Sequence, residues 1–308
     1  MKNSIKNFLL DKNIDISKFT YKNTAIIIEN TDNKYVLKPK KRNDKKEIYD
    51  YLLSRNFSFF LYPENDFEDD YELYQFIPEV KTLIEEKAAS LINIISELHI
   101  RTTTYKEYSL DEIKEIYEEK NNRISYLFQY YDELEEVFSK EIYPAPFQLL
   151  FLNNVSKIYN TLNYSRVLVE KWYKNVINDK RRRIVFLHNH LSLDHFIDSN
   201  DPKIINFDYS KYDSPIYDFV NFYKSHFYEL DMTMLFNKYQ HRYKFTNNEL
   251  LLFFIEIIIP DKVVFSNNVF INTMRVYDLI NYIDITREFI LEKEKREQEK
   301  DYDKFNKQ

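Results

Sequence analysis

The segment from His188 to Asp218, His-Asn-His-Leu-Ser-Leu-Asp-His, then Ile-Ile-Asn-Phe-Asp, then Tyr-Asp, holds the chain's densest set of side chains able to do chemistry. Three of the six histidines, His188, His190 and His195, lie in it. An imidazole changes charge near neutrality, with an unperturbed pKa of about 6.5, so His190 could accept a proton at working pH. His-x-His on a strand or loop can place two imidazoles on one face, and nitrogen donors suit zinc or another late transition metal. Asn206 and Asp208 offer oxygen donors two residues apart, which share a face if the strand continues through them. Asp208 is the nearby carboxylate able to hold a hard cation, unless it only starts or caps the following loop. The letters His-Asn-His also name a nuclease motif, but that motif needs a ββα-metal setting with a distant histidine.

The elements around this segment are predicted from periodicity and capping. Ala25–Glu29 and Tyr35–Lys38 read as strands joined by a turn at 30–33, with Asp32 and Asn33 suited to left-handed conformations. Asp44 with Glu47 resembles a helix N-cap pair ahead of Ile48, Tyr51 and Leu52. Two further strands are predicted at Phe57–Tyr62 and Tyr71–Ile77. After Pro78 the pattern becomes helical. Thr82 with Glu85, Ser109 with Glu112 and Thr246 with Glu249 read as capping boxes. Ile84, Ala88, Leu91, Ile95 and Leu98 form a stripe ending at His99. A long aromatic-rich helix with a concealed break is predicted over 147–178, a buried strand over 184–187, a helix from Ser214-Pro215 and a last packed helix over 271–291. The charged tail from 292 reads as frayed helix or disorder.

At 308 residues the chain suffices for one large domain or two lobes, and it contains no cysteine and no glycine. Disulfides and thiolate metal sites are thereby excluded, and a reduced, cytoplasmic setting is expected. About twenty glycines would be average. Positions needing positive φ therefore fall to Asn, Asp or strained residues, and no glycine-rich loop can close onto phosphates. A net charge of −6 gives no overall basic field, so no nucleic-acid partner is expected. The basic runs Lys38–Lys46 and Lys180–Arg183 read as solvated surface. Residues 1–17 hold no sustained apolar run and no eighteen-residue apolar stretch occurs, so neither a leader nor a membrane partner is expected.

The layout of residues 188–218 resembles the H-G-D-x-x-x-x-N, hairpin, hydrophobic-D-F, Y-D series of the aminoglycoside phosphotransferases, choline kinases and spore-coat kinase-like proteins. Tyr-Val-Leu-Lys38 and Glu97-Leu98-His99 resemble two further segments of that family, and the element order agrees over about residues 20–290. The resemblance implies an α+β, two-lobed protein-kinase-like fold: a small antiparallel N-lobe (1–78), a helical C-lobe (79–291) and a charged tail (292–308). It implies that Lys38 meets nucleotide phosphates with Glu47 as its ion-pair partner, that His188 supports the loop, and that Asp218 braces it structurally. It also places the family's catalytic Asp at His190, its metal-binding Asn at His195 and its metal-binding Asp at Asn206.

Those replacements carry the functional expectation. Phosphoryl transfer needs a positioned base and metal-held phosphates. His190 lacks the anionic charge of a carboxylate base, Asn206 offers a neutral oxygen, and His195 offers nitrogen to an ion that prefers oxygen. Loss of acid–base help alone costs about 10²–10⁴ in rate. The leading expectation is a catalytically degenerate, pseudokinase-like protein that binds an unidentified small molecule or protein partner, with ATP and magnesium binding weakly or not at all. Two alternatives stand beside it. One is a divergent phosphotransferase on a small hydroxylated substrate, using His190 with a metal held by Asn206 and Asp208, and the other is a structural or assembly protein.

Overall fold

The computed structural model describes residues 3–31 and 33–305. In chain order it runs α1 (Asn3–Asp11), β1 (Lys18–Lys22), β2 (Ala25–Glu29), β3 (Lys34–Pro39), α2 (Lys45–Ser54), β4 (Tyr71–Gln75), α3 (Ile84–Thr102), β5 (Thr104–Glu107), α4 (Leu110–Ser139) and α5 (Pro146–Asn178). There follow β6 (Arg181–Leu187), β7 (Phe196–Ile197), β8 (Lys203–Ile204), β9 (Lys211–Asp213), α6 (Ile216–His226), α7 (Met232–Arg242), α8 (Asn247–Ile258) and α9 (Val269–Phe305). By internal contacts the chain divides into two units. One is the chain up to Thr102 together with His188–Lys211; the other is Thr103–Leu187 together with the chain from Tyr212 onward.

The first unit is built on an antiparallel meander in the order β1-β2-β3-β4. Side chains alternate across it. Ile26, Ile28, Leu37 and Leu73 lie on one face and bury against Ile5 and Leu9 of α1. Lys38 pairs in register with Glu72, and alternation puts both on the other face. The buried residues of α2 are Lys45, Ile48, Tyr49 and Leu52, the i, i+3, i+4, i+7 spacing of a single helical stripe.

Five described residues take positive φ and all are asparagines: Asn13, Asn23, Asn56, Asn189 and Asn206. Asn56 closes α2: its own N–H donates to Leu53 O and that of Phe57 to Leu52 O, both 2.9 Å, a Schellman cap built without glycine. Asn13 does the same for α1, through Leu10 O and, from Ile14, Leu9 O. Asn33, expected in that conformation, is not; its backbone N–H donates to Asn30 Oδ1, and Asp32 lies outside the described residues.

Three local expectations are corrected. Phe57–Tyr62 is no strand: it makes one isolated bridge, Phe60 to Ile204, and its rings feed an aromatic cluster with Tyr49 and Phe207. Asp44 does precede α2 but makes no side-chain cap, because Arg42 takes both its carboxylate oxygens. Thr82 lies two residues ahead of α3 and gives its hydroxyl to Asp198 Oδ2, 2.7 Å away. The helix α1 and the fully exposed strand β1 had no counterpart in the sequence reading.

In the second unit the helices supply the core around a three-stranded sheet in the order β5-β6-β9. The boxes at Ser109–Glu112 and Thr246–Glu249 form as expected, each with both reciprocal hydrogen bonds. Helix α5 runs unbroken over 33 residues. Every residue of α8 from Glu249 to Ile258 is buried, which makes it the central helix. Helix α7, missing from the sequence reading, starts at Asp231, whose carboxylate accepts the Met234 N–H. Helix α9 continues through Phe305, so the tail from 292 starts as helix. Among the described residues no helix is long and apolar enough to cross a membrane.

Candidate functional site

The residues singled out at 38, 47 and 188–208 all fall in the first unit. His188 is fully buried, and its Nε2 donates to the Ile205 carbonyl at 2.9 Å, which ties the start of the loop to the strand returning from the β7–β8 hairpin. Its ring stands edge-on to Phe207, 5.1 Å between centroids. Asn189 takes φ 60°, and its amide donates to the Tyr209 carbonyl at 3.0 Å. This is the position of the family pattern's glycine, filled by the residue type that best tolerates the left-handed region after glycine.

His190 is exposed, with its ring against His195 (4.8 Å) and Tyr209 (5.2 Å). His195 has both nitrogens committed. Nδ1 donates to the His190 carbonyl at 2.8 Å, which leaves Nε2 as an acceptor, and the Asn206 amide donates to it at 3.0 Å. Burial pushes the His195 pKa down; the bond to the carbonyl opposes this, while the charges of His190 and Lys38 reinforce it. The imidazole is thus held neutral in one tautomer. The two residues that the resemblance aligns with metal ligands, His195 and Asn206, bind each other.

Asn206 and Asp208 do not share a strand face. Asn206 is left-handed, φ 72° and ψ 52°, and begins a 3-10 turn, Phe207–Tyr209, that sends the two side chains to different partners. Phe207 anchors the turn among Tyr49 and Phe60. Asp208 points to Lys45, whose Nζ lies 2.5 Å from Asp208 Oδ1 and 2.6 Å from Glu72 Oε2. The three side chains are 4 %, 7 % and 6 % exposed. Tyr74 adds a hydroxyl to Glu72 at 3.0 Å. Burial alone would push the Lys45 ammonium down, but its bonds to Asp208 and Glu72 outweigh this and hold it above the usual lysine range.

Lys45 is the site residue that sequence reading missed. Glu47, expected to pair with Lys38, is exposed and stands off the buried stripe of α2. The inward position of α2 carries a cation, and the acids come from β4 and from the turn after Asn206. The stripe Lys45, Ile48, Tyr49, Leu52 was the available signal, since its phase buries position 45. Lys38 is half-buried on β3; burial pushes its amine below the usual lysine range, Asp208 opposes the shift and Lys45 adds to it.

These donors do not fit a magnesium ion. A hard divalent cation wants several oxygen ligands, carboxylates foremost. Here one ligand position is an imidazole whose lone pair is taken, another is an amide donating to it, and the adjacent carboxylate is neutralised by an ammonium. Nor are the three imidazoles free to act together on a transition metal, since Nε2 of His195, the nitrogen left after its bond to the carbonyl, already accepts the Asn206 amide. Among the described residues no group of three or more His, Cys, Asp or Glu could hold a metal ion.

Asp218 lies in the second unit, fully buried in the first turn of α6, where the helix dipole favours an anion. Burial pushes the Tyr239 hydroxyl well up, and the Asp218 charge adds to that.

No family model matches the chain, and no curated protein matches it in sequence. Solved structures do match. An aminoglycoside phosphotransferase from Alicyclobacillus acidocaldarius superposes with a TM-score of 0.61 at 9% identity, covering 92% of this chain and 90% of that one. A spectinomycin phosphotransferase in its AMP-bound complex gives 0.56 at 14% identity over 93% and 98%, and its complex with ADP and spectinomycin 0.53 at 14% over 94% and 98%. At these identities the likeness concerns the fold: this chain, with its small antiparallel sheet unit and its helical unit, has the protein-kinase-like fold of the aminoglycoside phosphotransferases.

Proposed function

We propose that the chain is a pseudokinase: a phosphotransferase-fold protein that acts by binding a ligand or partner and does not transfer phosphate. The observation that carries this reading is the Lys45 ammonium bonded to both Glu72 and Asp208. In kinase-type catalysis the metal ion neutralises phosphate charge and is held by carboxylates. Here a protein cation sits on the available carboxylates, and the neighbouring pair His195–Asn206 is mutually satisfied. The divergent-enzyme reading, with Asn206 and Asp208 holding a metal, has no support in this arrangement, because the two side chains diverge to separate partners.

The test is a thermal-shift panel of ATP, ADP and AMP, each with and without magnesium, run beside a phosphoryl-transfer assay on small hydroxylated acceptors. The expected result is no magnesium-dependent rise in melting temperature and no transfer. A magnesium-dependent rise together with turnover at about 1–100 s⁻¹, the ordinary kinase range, that is lost in His190→Ala would replace this proposal with the enzyme.

A further inference from the structure

A second site is built into the helical unit. A cavity of about 200 Å³ opens where the end of α5, the first turn of α8, β5 and the first residues of β6 meet. Its floor is apolar: Trp172, Val176 and Leu252 are 2 %, 1 % and 3 % exposed. Its wall carries Arg181, Arg182 and Arg183, a run expected from sequence to be solvated surface.

The three guanidiniums are not equivalent. Arg183 is engaged by both carboxylate oxygens of Glu249 and by the Lys244 carbonyl. Arg182 lies 4.4 Å from the Tyr108 ring centroid and bonds Glu112 at 2.7 Å. Arg181 rests on Tyr105, 5.7 Å from its centroid, and among the described residues it has no ion-pair partner. The remaining carboxylate of the lining, Asp179, accepts the backbone N–H of Arg181 at 3.3 Å. Glu112 and Glu249 thus occupy Arg182 and Arg183, and Arg181 is the guanidinium of the lining left without a carboxylate on its side chain among the described residues. The first turn of α8, which contributes Asn248, adds the positive end of a helix dipole.

We propose that this cavity binds a small organic anion, one ring seated on Trp172, Val176 and Leu252 and one anionic group held by Arg181 at the mouth. The volume sets the size, since sites for drug-sized ligands occupy about 300–1,000 Å³. The Trp172 indole in the floor and the Arg181 guanidinium over the Tyr105 ring favour a planar body. This site lies within the second unit and stands whether or not the loop at 188–208 transfers phosphate.

Trp172 is the chain's single tryptophan, so selective tryptophan excitation reports on the cavity floor directly. The full chain is titrated with benzoate and with phenyl phosphate, and benzamide serves as the uncharged control. Saturable fluorescence changes are expected with at least one anion and not with benzamide. Arg181→Gln, at an exposed position, weakens binding about tenfold, the loss of one charge-assisted hydrogen bond. Asn248→Glu places a carboxylate at the mouth yet suits the first turn of a helix, so it abolishes binding while the melting temperature holds. Responses linear in concentration for both anions, an equal response to benzamide, or saturation unchanged in both variants overturns the proposal.

Discussion

Replacing Lys45 with methionine removes the cation and leaves much of the side-chain volume. Two carboxylates, Glu72 and Asp208, are then stranded with side chains only 6 % and 7 % exposed. Breaking a buried ion pair by deleting one partner costs about 3–5 kcal/mol, because the surviving charge stays desolvated and unpaired. Two survivors put the cost at the upper end of that range, a large share of a typical stability of about 5–15 kcal/mol. The melting temperature is expected to fall by on the order of 10 °C. Thermal denaturation measures this, and the combination Lys45→Met, Glu72→Gln, Asp208→Asn separates charge from packing. If stranded charge is the cause, the triple variant regains most of the loss. Millimolar magnesium is expected to raise the melting temperature of Lys45→Met, where two acids await a cation, and to leave the unaltered chain unmoved. A Lys45→Met variant within about 1 kcal/mol of the parent, below the range for a broken buried pair, would refute the reasoning, as would magnesium stabilisation of the parent itself.

Restoring the family's base with His190→Asp and its metal ligands with His195→Asn and Asn206→Asp is expected to produce a magnesium-dependent rise in melting temperature with ATP that the parent lacks, read by thermal shift; no rise would mean that nucleotide affinity was lost elsewhere as well. His195 has a depressed pKa in the folded state, so its contribution to stability is present above about pH 6.5 and is lost as pH falls through the lower folded value. Melting curves between about pH 7.5 and about pH 5 should therefore fall less steeply for His195→Asn than for the parent. Asn56→Ala forces a Cβ-bearing residue without a helpful side chain into φ 57° and should cost about 1–2 kcal/mol, whereas Asn56→Gly should be neutral or better; chemical denaturation distinguishes them.

What could be read from sequence was what depends on near neighbours. Ser109–Glu112 and Thr246–Glu249 cap their helices because both partners lie within one turn. Asp44–Glu47 and Thr82–Glu85 have the same spacing and fail, since Arg42 takes one cap residue and Asp198, 116 residues away, takes the other. The run Phe57–Tyr62 has the composition of a strand, but its one ladder contact is the bridge from Phe60 to Ile204, and Phe60 buries its ring against Tyr49 and Phe207. At the site, the alignment of His188, His190, His195 and Asn206 located the loop. It could not locate Lys45, because the resemblance directs attention to α2 for an acid, and the pairing of Lys45 with Glu72 and Asp208 joins three residues distant in sequence. The divergence of Asn206 and Asp208 was hidden for a different reason: it depends on a left-handed residue, which alternation along a strand does not foresee.

The absence of glycine has a consequence for the state from which the protein folds. Glycine is the residue that loses the most backbone freedom on folding, and replacing one by alanine where geometry permits stabilises a protein by about 0.4–1 kcal/mol, chiefly through the unfolded chain. Without any, the denatured ensemble of this chain is stiffer, residue for residue, than that of an average protein. Among the described residues five asparagines carry the left-handed turns, each at some steric cost. That cost falls on single positions, whereas the reduction in denatured-state entropy is spread over the whole chain. The balance favours the folded state, and it gives the protein room to keep a buried triad of charges that an apolar packing would have replaced at no loss.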